Sequence, residues 1–341
     1  MVFFRVDGNF QIGTGHIMRC LSLADAFQEE GVRSVFVMAE AYMRPLIQER
    51  GHECRVLSSA YDRMEEELPA FLPLVEEERP SFVVLDSYFV TLKYMNAVRA
   101  KTPLVYIDDL NAFDYPSDAV VNYNLYEKTM AYPPDKTYFL GPQYAPLRKQ
   151  FQGLAFRAAR ERVKQIFFST GGTDPHHVAL RCVEYLLAHP SAQSGTYHVV
   201  LGTMNQDVEQ IKEKTARASC IVLHQQVRDM CALMLQCDAA ISAAGTTLYE
   251  LCACGLPTVT YILADNQIGG AAAFDKAGLM TCAGDVRTAP DFVENVFLKL
   301  DGLQNQALRQ RIARRMQTLV DGNGAVRLAN RLQVLIGGSC K

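Results

Sequence analysis

The feature that most constrains this chain is an alternation that runs almost from end to end. Short runs rich in Val, Ile and Phe alternate with longer amphipathic runs. Parallel strands need helical crossovers between them, so this rhythm is the signature of parallel sheets covered by helices. The fold class is therefore α/β. In the first half, Val2–Val6, Ser34–Met38, Cys54–Leu57, Phe82–Leu85, Leu104–Ile107 and Ala119–Val121 read as strands, with helices between most of them. The stretch Pro133–Gly153 breaks the rhythm with prolines and glycines. It restarts at Gln165–Thr170 and continues through His198–Leu201, Ile221–His224, Ala239–Ser242 and Thr258–Ile262, and after Pro290 the chain reads as helix only.

At roughly 100 to 200 residues per domain, a chain of 341 residues has room for two such sheets. The expected organisation is two doubly wound domains, 1–155 and 156–320, with 321–341 as a C-terminal helix able to return and brace the first. The connector lies near residues 150–163, beside Arg157, Arg160, Arg162 and Lys164.

Charge and cysteine usage narrow the partners. Lys and Arg number 34 against 37 Asp and Glu, which leaves no basic excess to neutralise a phosphate backbone, so nucleic acid is not an expected partner. The N-terminus Met1-Val2-Phe3-Phe4-Arg5-Val6-Asp7 reads as a short strand and lacks the basic and long apolar regions of a signal peptide. Membrane insertion is not expected, since no uninterrupted apolar run reaches the length of about 18 residues that a span requires. The ten cysteines are scattered and form no C-x-x-C pair. They read as buried, reduced thiols of a cytoplasmic protein, not as a zinc site or a disulfide framework.

In open parallel sheets ligands bind beyond the carboxyl ends of the strands, so the strand-to-helix turns carry the functional information. The first turn, Asp7-Gly8-Asn9-Phe10-Gln11-Ile12-Gly13-Thr14-Gly15-His16-Ile17-Met18-Arg19, sets two close glycines and a histidine at a helix start. Gly13 and Gly15 let backbone amides approach a ligand. The spacing fits neither a dinucleotide fingerprint nor a P-loop. From the residues alone, His16 is either a hydrogen-bonded structural group or a ligand-facing one. The second turn, Ser169-Thr170-Gly171-Gly172-Thr173-Asp174-Pro175, suits anion binding by the amides of Gly171 and Gly172 and the Thr173 hydroxyl. It equally suits a tight turn with Asp174 as N-cap and Pro175 at the first helical position. The third, Ser242-Ala243-Ala244-Gly245-Thr246-Thr247-Leu248-Tyr249-Glu250, offers Gly245, Thr246 and Thr247 to a phosphate. One turn further in, Glu250 has the chemistry to accept two hydrogen bonds from a ribose diol, or to complement the helix dipole. The fourth, Ala264-Asp265-Asn266-Gln267, presents amides able to bind sugar hydroxyls or place a water. Asp108-Asp109 is an adjacent acidic pair at a strand end. A metal, a substrate contact and loop capping are all open to it, with the last two favoured because no further acidic ligands cluster at the phosphate turns. No metal and no cofactor are expected.

Taken together, Gly13-Thr14-Gly15-His16-Ile17-x-Arg19, Gly171-Gly172-Thr173-Asp174, Gly245-Thr246-Thr247-x-x-Glu250, Gly255-x-Pro257 and Asn266-Gln267 resemble one known family. It is the UDP-2,4-diacetamido-2,4,6-trideoxy-β-L-altropyranose hydrolases of pseudaminic acid biosynthesis, relatives of the lipid-II-forming N-acetylglucosaminyltransferase. The likeness runs in order from residue 1 to about 330 and takes in Asp86-Ser87-Tyr88, Asp108-Asp109, Tyr144–Arg148 and Asp321-Gly322-x-Gly324-Ala325. Tyr42–Arg50 and Asn111–Tyr115 carry no signature of it.

The resemblance implies a GT-B fold with the sugar on the N-terminal domain and UDP on the C-terminal one, across an interdomain cleft. It implies His16 as general base on water, Tyr88 and Asn266 at the sugar end, and Glu250 on the ribose. Gly13, Gly15, Arg19, Asp108, Gly171, Gly172, Thr173, Gly245, Thr246, Thr247 and Gln267 complete the expected substrate contacts. A free imidazole titrates near 6.5 and can take a proton from water at neutral pH. Attack at the anomeric carbon would then release UDP with inversion. Two other functions share the fold: a glycosyltransferase using a UDP-amino sugar, and a non-catalytic nucleotide-sugar-binding protein. A transferase acting on lipid-linked acceptors needs an apolar and basic docking face, and the helices expected near Met43–Arg50 and Arg63–Glu78 do not supply one.

Overall fold

The computed structural model describes residues 1–126, 130–193 and 195–337. The chain divides into two compact units. One comprises Met1–Arg148 together with the segment that begins at Asn323, and the other comprises Lys149–Gly322.

The first unit is built on strands β1 (Val2–Val6), β2 (Ser34–Met38), β3 (Glu53–Val56), β4 (Phe82–Asp86), β5 (Leu104–Ile107), β6 (Ala119–Asn122) and β7 (Thr137–Leu140), with helices α1 (Gly15–Glu29), α2 (Arg44–Glu49), α3 (Leu68–Glu78) and α4 (Leu92–Arg99). The strands form one parallel sheet in the order β3-β2-β1-β4-β5-β6-β7. Alternation along β1 sends its phenylalanines to opposite faces. Phe4 stacks on Phe36 at 5.1 Å between centroids and meets Phe27 of α1. Phe3 joins Val35, Val37, Val83 and Leu85 against Phe71 and Val75 of α3 and Tyr94 and Met95 of α4. Burial on both faces explains why the central strands read as largely apolar runs, and each buried apolar side chain stabilises the unit by roughly 1.5–3 kcal/mol relative to exposure.

The second unit repeats the plan with β8 (Gln165–Ser169), β9 (Thr196–Leu201), β10 (Ile221–Gln225), β11 (Ala239–Ala243), β12 (Thr258–Ile262) and β13 (Met280–Asp285). Helices α5 (Val178–Ala188), α6 (Val208–Thr215), α7 (Met230–Gln236), α8 (Thr247–Ala253), α9 (Ile268–Lys276), α10 (Phe292–Asp301) and α11 (Gln306–Leu319) accompany them. The sheet is again parallel, in the order β10-β9-β8-β11-β12-β13. In each sheet the chain winds outward one way and then returns to start the other way. The switch point therefore falls between β1 and β4 in one unit and between β8 and β11 in the other, the place where such sheets open a crevice for ligands.

Two strands were not among those expected from the sequence. β7 lies inside the proline- and glycine-rich stretch and pairs at the sheet edge with β6. β13 is an edge strand of mixed composition, Met-Thr-Cys-Ala-Gly-Asp, whose register against β12 shifts between Thr260 and Ile262. Edge strands are covered on fewer sides and need less apolar patterning, which is why both are faint in the sequence.

The connector from Leu154 to Lys164 is strapped to α11. Gln317 accepts from the Arg157 amide at 2.7 Å and donates to the Ala155 carbonyl, and Gln310 accepts from the Ala159 amide at 2.8 Å. Beyond α11 the chain re-enters the first unit as α12 (Gly324–Gly337), which packs on α1. Glycine is required at this return: a β-carbon on Gly322 would stand 2.0 Å from the Phe151 carbonyl oxygen, and one on Gly324 would stand 2.1 Å from that of Ala145.

Candidate functional site

In the first unit the turn after β1 folds back on itself before α1 begins. The Asn9 side chain accepts from the Gln11 and Ile12 amides at 2.9 and 3.1 Å, and the Gly13 amide reaches the Asn9 carbonyl at 2.8 Å. Gly13 has φ +74°, a left-handed conformation that glycine adopts without penalty. Helix α1 then starts at Gly15, so His16 lies in its first turn and Arg19 falls on the same face three residues on.

Both side chains point across the switch point to the ends of β4 and β5. His16 Nδ1 lies 2.6 Å from Asp86 Oδ1. Arg19 grips Asp86 with two hydrogen bonds of 2.6 Å and donates to Asp109 at 2.9 Å and to the Tyr123 hydroxyl at 2.8 Å. Asp109 also accepts from the Tyr88 hydroxyl at 2.8 Å and from Asn124 at 2.9 Å. The Tyr88 ring meets the His16 ring edge-on at 4.6 Å.

The cluster is buried: Asp86 is 1% exposed, Arg19 5% and His16 8%. Burial alone would push the Asp86 carboxyl up, but the Arg19 guanidinium and then His16 hold it well below the usual carboxylate range. Asp109 is lowered for the same reasons, with Arg19 again outweighing the cost of burial. Both are therefore carboxylates at neutral pH. On the open side, His16 lines a small recess with Ile12, Tyr61, Ser87, Tyr88 and Phe89.

Beneath it sits a second buried network. Arg5 pairs with Asp7 and Glu67, each at 2.5 Å, Tyr94 donates to Glu67 at 2.7 Å, and Asp7 accepts from the Ala39 amide. It ties the ends of β1 and β2 to the chain leading into α3.

Two residues expected among the substrate contacts have protein partners here. The Arg19 guanidinium is taken up by Asp86, Asp109 and Tyr123. Asp108, also placed among the substrate contacts, is fully buried and caps its own loop: it accepts from the Leu110 and Asn111 amides and from the hydroxyls of Tyr115 and Tyr132.

In the second unit the turns after β8 and β11 flank the switch point. Gly171 has φ +89° and its amide is 3.2 Å from Ser169 Oγ. The Thr170 hydroxyl is buried and has no hydrogen-bond partner. The turn packs so closely on Gly202 that a β-carbon there would stand 2.3 Å from the Gly171 carbonyl oxygen.

Asp174 is a cap, but in a different register from the one expected. Helix α5 begins at Val178, His177 takes a left-handed conformation before it, and Asp174 accepts from the Val178 and Ala179 amides at 2.9 and 2.8 Å. Pro175 thus lies in the turn and not at the first helical position. Burial raises the Asp174 carboxyl, and the two amide bonds offset only part of that. The first-turn amides of α5 already donate to this carboxylate, while Gly171 is exposed and Gly172 and Thr173 are partly exposed.

After β11, Gly245 and Thr246 precede α8, and Glu250 is the fourth residue of that helix, half-buried. Gln267 sits beside this turn, with its Nε2 4.0 Å from where a Gly245 β-carbon would be, while its Oε1 accepts from the Leu263 amide at 2.9 Å. Asn266 is exposed in the 3-10 turn ahead of α9. The folding thus assembles His16, Tyr88 and Arg19 in one unit, and the Gly245 turn with Gln267 in the other.

The sequence reading gave no role to Asp86, Tyr123 or Asn124. For Asp86 the sequence shows only an acidic residue ending an otherwise apolar strand; that it meets the helix opening with His16 and Arg19 follows from strand order alone. Among the described residues no group of three or more His, Cys, Asp or Glu side chains could hold a metal ion, and no helix is long and apolar enough to cross a membrane.

No family model matches the chain. It is 23% identical to the spore coat polysaccharide biosynthesis protein SpsG of Bacillus subtilis, with 96% of each chain covered. It is 24% identical to an uncharacterized protein of Methanocaldococcus jannaschii, over 77% of this chain and 55% of that one. It is 26% identical to the UDP-2,4-diacetamido-2,4,6-trideoxy-β-L-altropyranose hydrolase of Campylobacter jejuni, over 54% of this chain and 65% of that one. The chain thus spans little more than half the length of the archaeal relative and less than two-thirds of the Campylobacter one. The resemblance drawn from the turns is borne out by the last of these. Among solved structures, MurG of Acinetobacter baumannii superposes with a TM-score of 0.71 at 14% identity, covering 97% of this chain and 99% of that one. The calicheamicin glycosyltransferase CalG4 does so with 0.66 at 16%, covering 100% and 99%. The fold is GT-B, as the resemblance implied.

Proposed function

We propose that this chain is an enzyme acting on nucleotide sugars, and specifically a hydrolase of a UDP-linked 2,4-diacetamido-2,4,6-trideoxyhexose. The observation that carries the reading is the placement of His16: its ring lines a recess at the switch point of the first sheet and is held from behind at one nitrogen. Such a group can serve as a general base, which must be oriented and must keep one nitrogen toward the reactant.

In this reading His16 takes a proton from water as the water oxygen bonds to the anomeric carbon. The bond from that carbon to the β-phosphate oxygen breaks, UDP leaves with the electron pair, and the sugar is released with inverted configuration. The amides and hydroxyls of Gly171–Thr173 and Gly245–Thr247 stabilise the charge growing on the diphosphate, Glu250 accepts from the ribose diol, and Tyr88 and Asn266 bound the sugar. The Campylobacter relative's name supports the substrate class. The fold neighbours support the coarser statement, a nucleotide-sugar enzyme, and favour a glycosyltransferase as the second reading.

UDP release without any acceptor separates the two. Wild-type protein is expected to release UDP from the diacetamido-trideoxyhexose nucleotide in water enriched in heavy oxygen, with the label in the sugar and none in UDP. His16→Ala is expected to lower kcat by roughly two to four orders of magnitude with little change in KM. Turnover that requires an added acceptor would select the transferase, and label in the nucleotide would point to cleavage of the pyrophosphate.

A further inference from the structure

We infer that Asp86 is the positioning residue of this site: through its contact with His16 Nδ1 it fixes the imidazole as the Nδ1–H tautomer and presents Nε2 as the proton acceptor. The inference rests on the reading of His16 as a base, but its argument is geometric. Arg19 donates to both oxygens of Asp86, Nη2 to Oδ1 and Nε to Oδ2, each at 2.6 Å. A carboxylate gripped in this two-pronged way by a guanidinium is ionised and can only accept. The His16 nitrogen 2.6 Å from Oδ1 must then be the one that carries hydrogen. A neutral imidazole has one donor and one acceptor nitrogen, so the lone pair lies on Nε2. Arg19 Nη2 also stands 3.2 Å from His16 Nδ1. With a hydrogen on Nδ1 that approach is proximity, since both atoms are donors toward Asp86.

The placement follows from topology. Asp86 ends β4 and His16 opens the helix after β1, so their contact bridges the switch point, while Arg19 locks the carboxylate from the next turn of α1. The charged and titratable groups around the ring are Asp86 from β4, Arg19 from α1, Tyr88 beyond β4, Asp109 beyond β5, Tyr123 beyond β6 and, lining the recess, Asp7 just after β1 and Tyr61. When His16 accepts a proton at Nε2, the new imidazolium remains hydrogen-bonded to an anion, and the cation is stabilised where it forms.

Two measurements test this. The first is the ¹⁵N spectrum of the His16 ring in the wild-type protein above the pH at which the imidazole is neutral. The expected result is a protonated Nδ1 and a bare Nε2, and the opposite tautomer overturns the inference. The second uses Asp86→Asn, whose amide can donate to Nδ1 and so favours the other tautomer. It is expected to lower kcat by about 10²–10⁴-fold, to leave KM within a few-fold, and to move the acidic limb of the kcat/KM profile to lower pH because the imidazolium loses its anion. A purely structural Asp86 would not move that limb, and an unchanged kcat and limb in a folded variant overturn the inference. If Asp86→Asn does not fold, the wild-type spectrum alone decides. The outcomes also separate the two levels of argument. A protein that turns over and needs His16 but not Asp86 keeps the hydrolase reading and loses this one. A wild-type protein that shows the expected tautomer but releases no UDP does the reverse.

Discussion

The strand ends of the two units place polar groups at the carboxyl edge of a parallel sheet by opposite means. In the first unit they carry Asp7, Asp86, Asp108 and Asp109, and two buried arginines, Arg5 and Arg19, bind three of the four. In the second they carry Ser169–Thr173 and Ser242–Thr247, small and hydroxylated residues, and the one buried acid of the first turn, Asp174, faces the amides of α5. Paired charges fix side-chain geometry before any ligand arrives, which suits a group that must move a proton. Neutral amides and hydroxyls bring no charge of their own, which suits a ligand that arrives as an anion.

Removing the clamp should show the contrast most strongly. Arg19→Gln leaves two buried carboxylates without their cation, and breaking a buried pair from one side costs about 3–5 kcal/mol. Equilibrium unfolding in urea measures it, and a loss under about 1 kcal/mol would show that His16, Tyr88 and Asn124 alone satisfy the two acids. In the second unit the matching experiment concerns binding. Glu250→Ala should weaken UDP by about 1.5–3 kcal/mol, the usual worth of a hydrogen bond to a charged group. Calorimetric titration with UDP reads this directly, and wild-type affinity would move the nucleotide away from α8.

The fold was legible because its central strands are buried on both faces: Phe3, Phe4, Val35 and Phe36 declare themselves by composition alone. Only the edge strands β7 and β13 were faint, since one is set among prolines and the other is half polar. The site was legible to the extent that its residues sit in one turn. His16, Gly13 and Gly245 could be marked from neighbours in sequence. The part played by Asp86 could not, because its partners His16 and Arg19 lie 70 and 67 residues away, and only strand order brings them together. The partners of Arg19 are as distant, Asp86, Asp109 and Tyr123 lying 67, 90 and 104 residues away, whereas those of Asp108 are local, in its own loop and at Tyr115 and Tyr132. An arginine one turn from a candidate base and an aspartate at a strand end look like ligand contacts until the buried partners that take them up are known.

Acid should distinguish the two units through their carboxyls. Asp86 and Asp109 are depressed below their unfolded values, so the stability they contribute is present above about pH 4, the unfolded carboxylate range, and is lost as pH falls through their lower folded values. Asp174 is raised by burial, so its ionised form carries a cost at neutral pH that is relieved as pH falls through its folded value toward the unfolded one. Relative to an Asp174→Asn variant, the wild-type protein should gain stability on mild acidification. Relative to Asp86→Asn it should lose its advantage only at lower pH. Urea midpoints measured at several pH values test both signs, and parallel slopes for the two pairs would show that the carboxyls do not differ as their surroundings imply.

The smallest effect expected is that of a chelator, and it probes the arginine clamp most directly. A divalent cation at the first unit's strand ends would need carboxylate oxygens open to it. Asp86 meets Arg19 with both oxygens, Asp109 is held by Arg19, Tyr88 and Asn124, and Asp108 is occupied by its loop amides and two tyrosine hydroxyls. A metal would have to displace a buried guanidinium that already neutralises the pair, and such an exchange exposes one buried cation in order to place another. On the proposed reading, in which uncharged turn amides carry the departing diphosphate, UDP release should therefore continue in EDTA at a rate unchanged within about twofold. Loss of turnover in EDTA, restored by magnesium or manganese, would mean that Asp108 or Asp109 leaves its present partners when substrate binds. The first unit's charges would then be a closed form of a metal site, and the contrast between the two sets of turns would hold only in the absence of substrate.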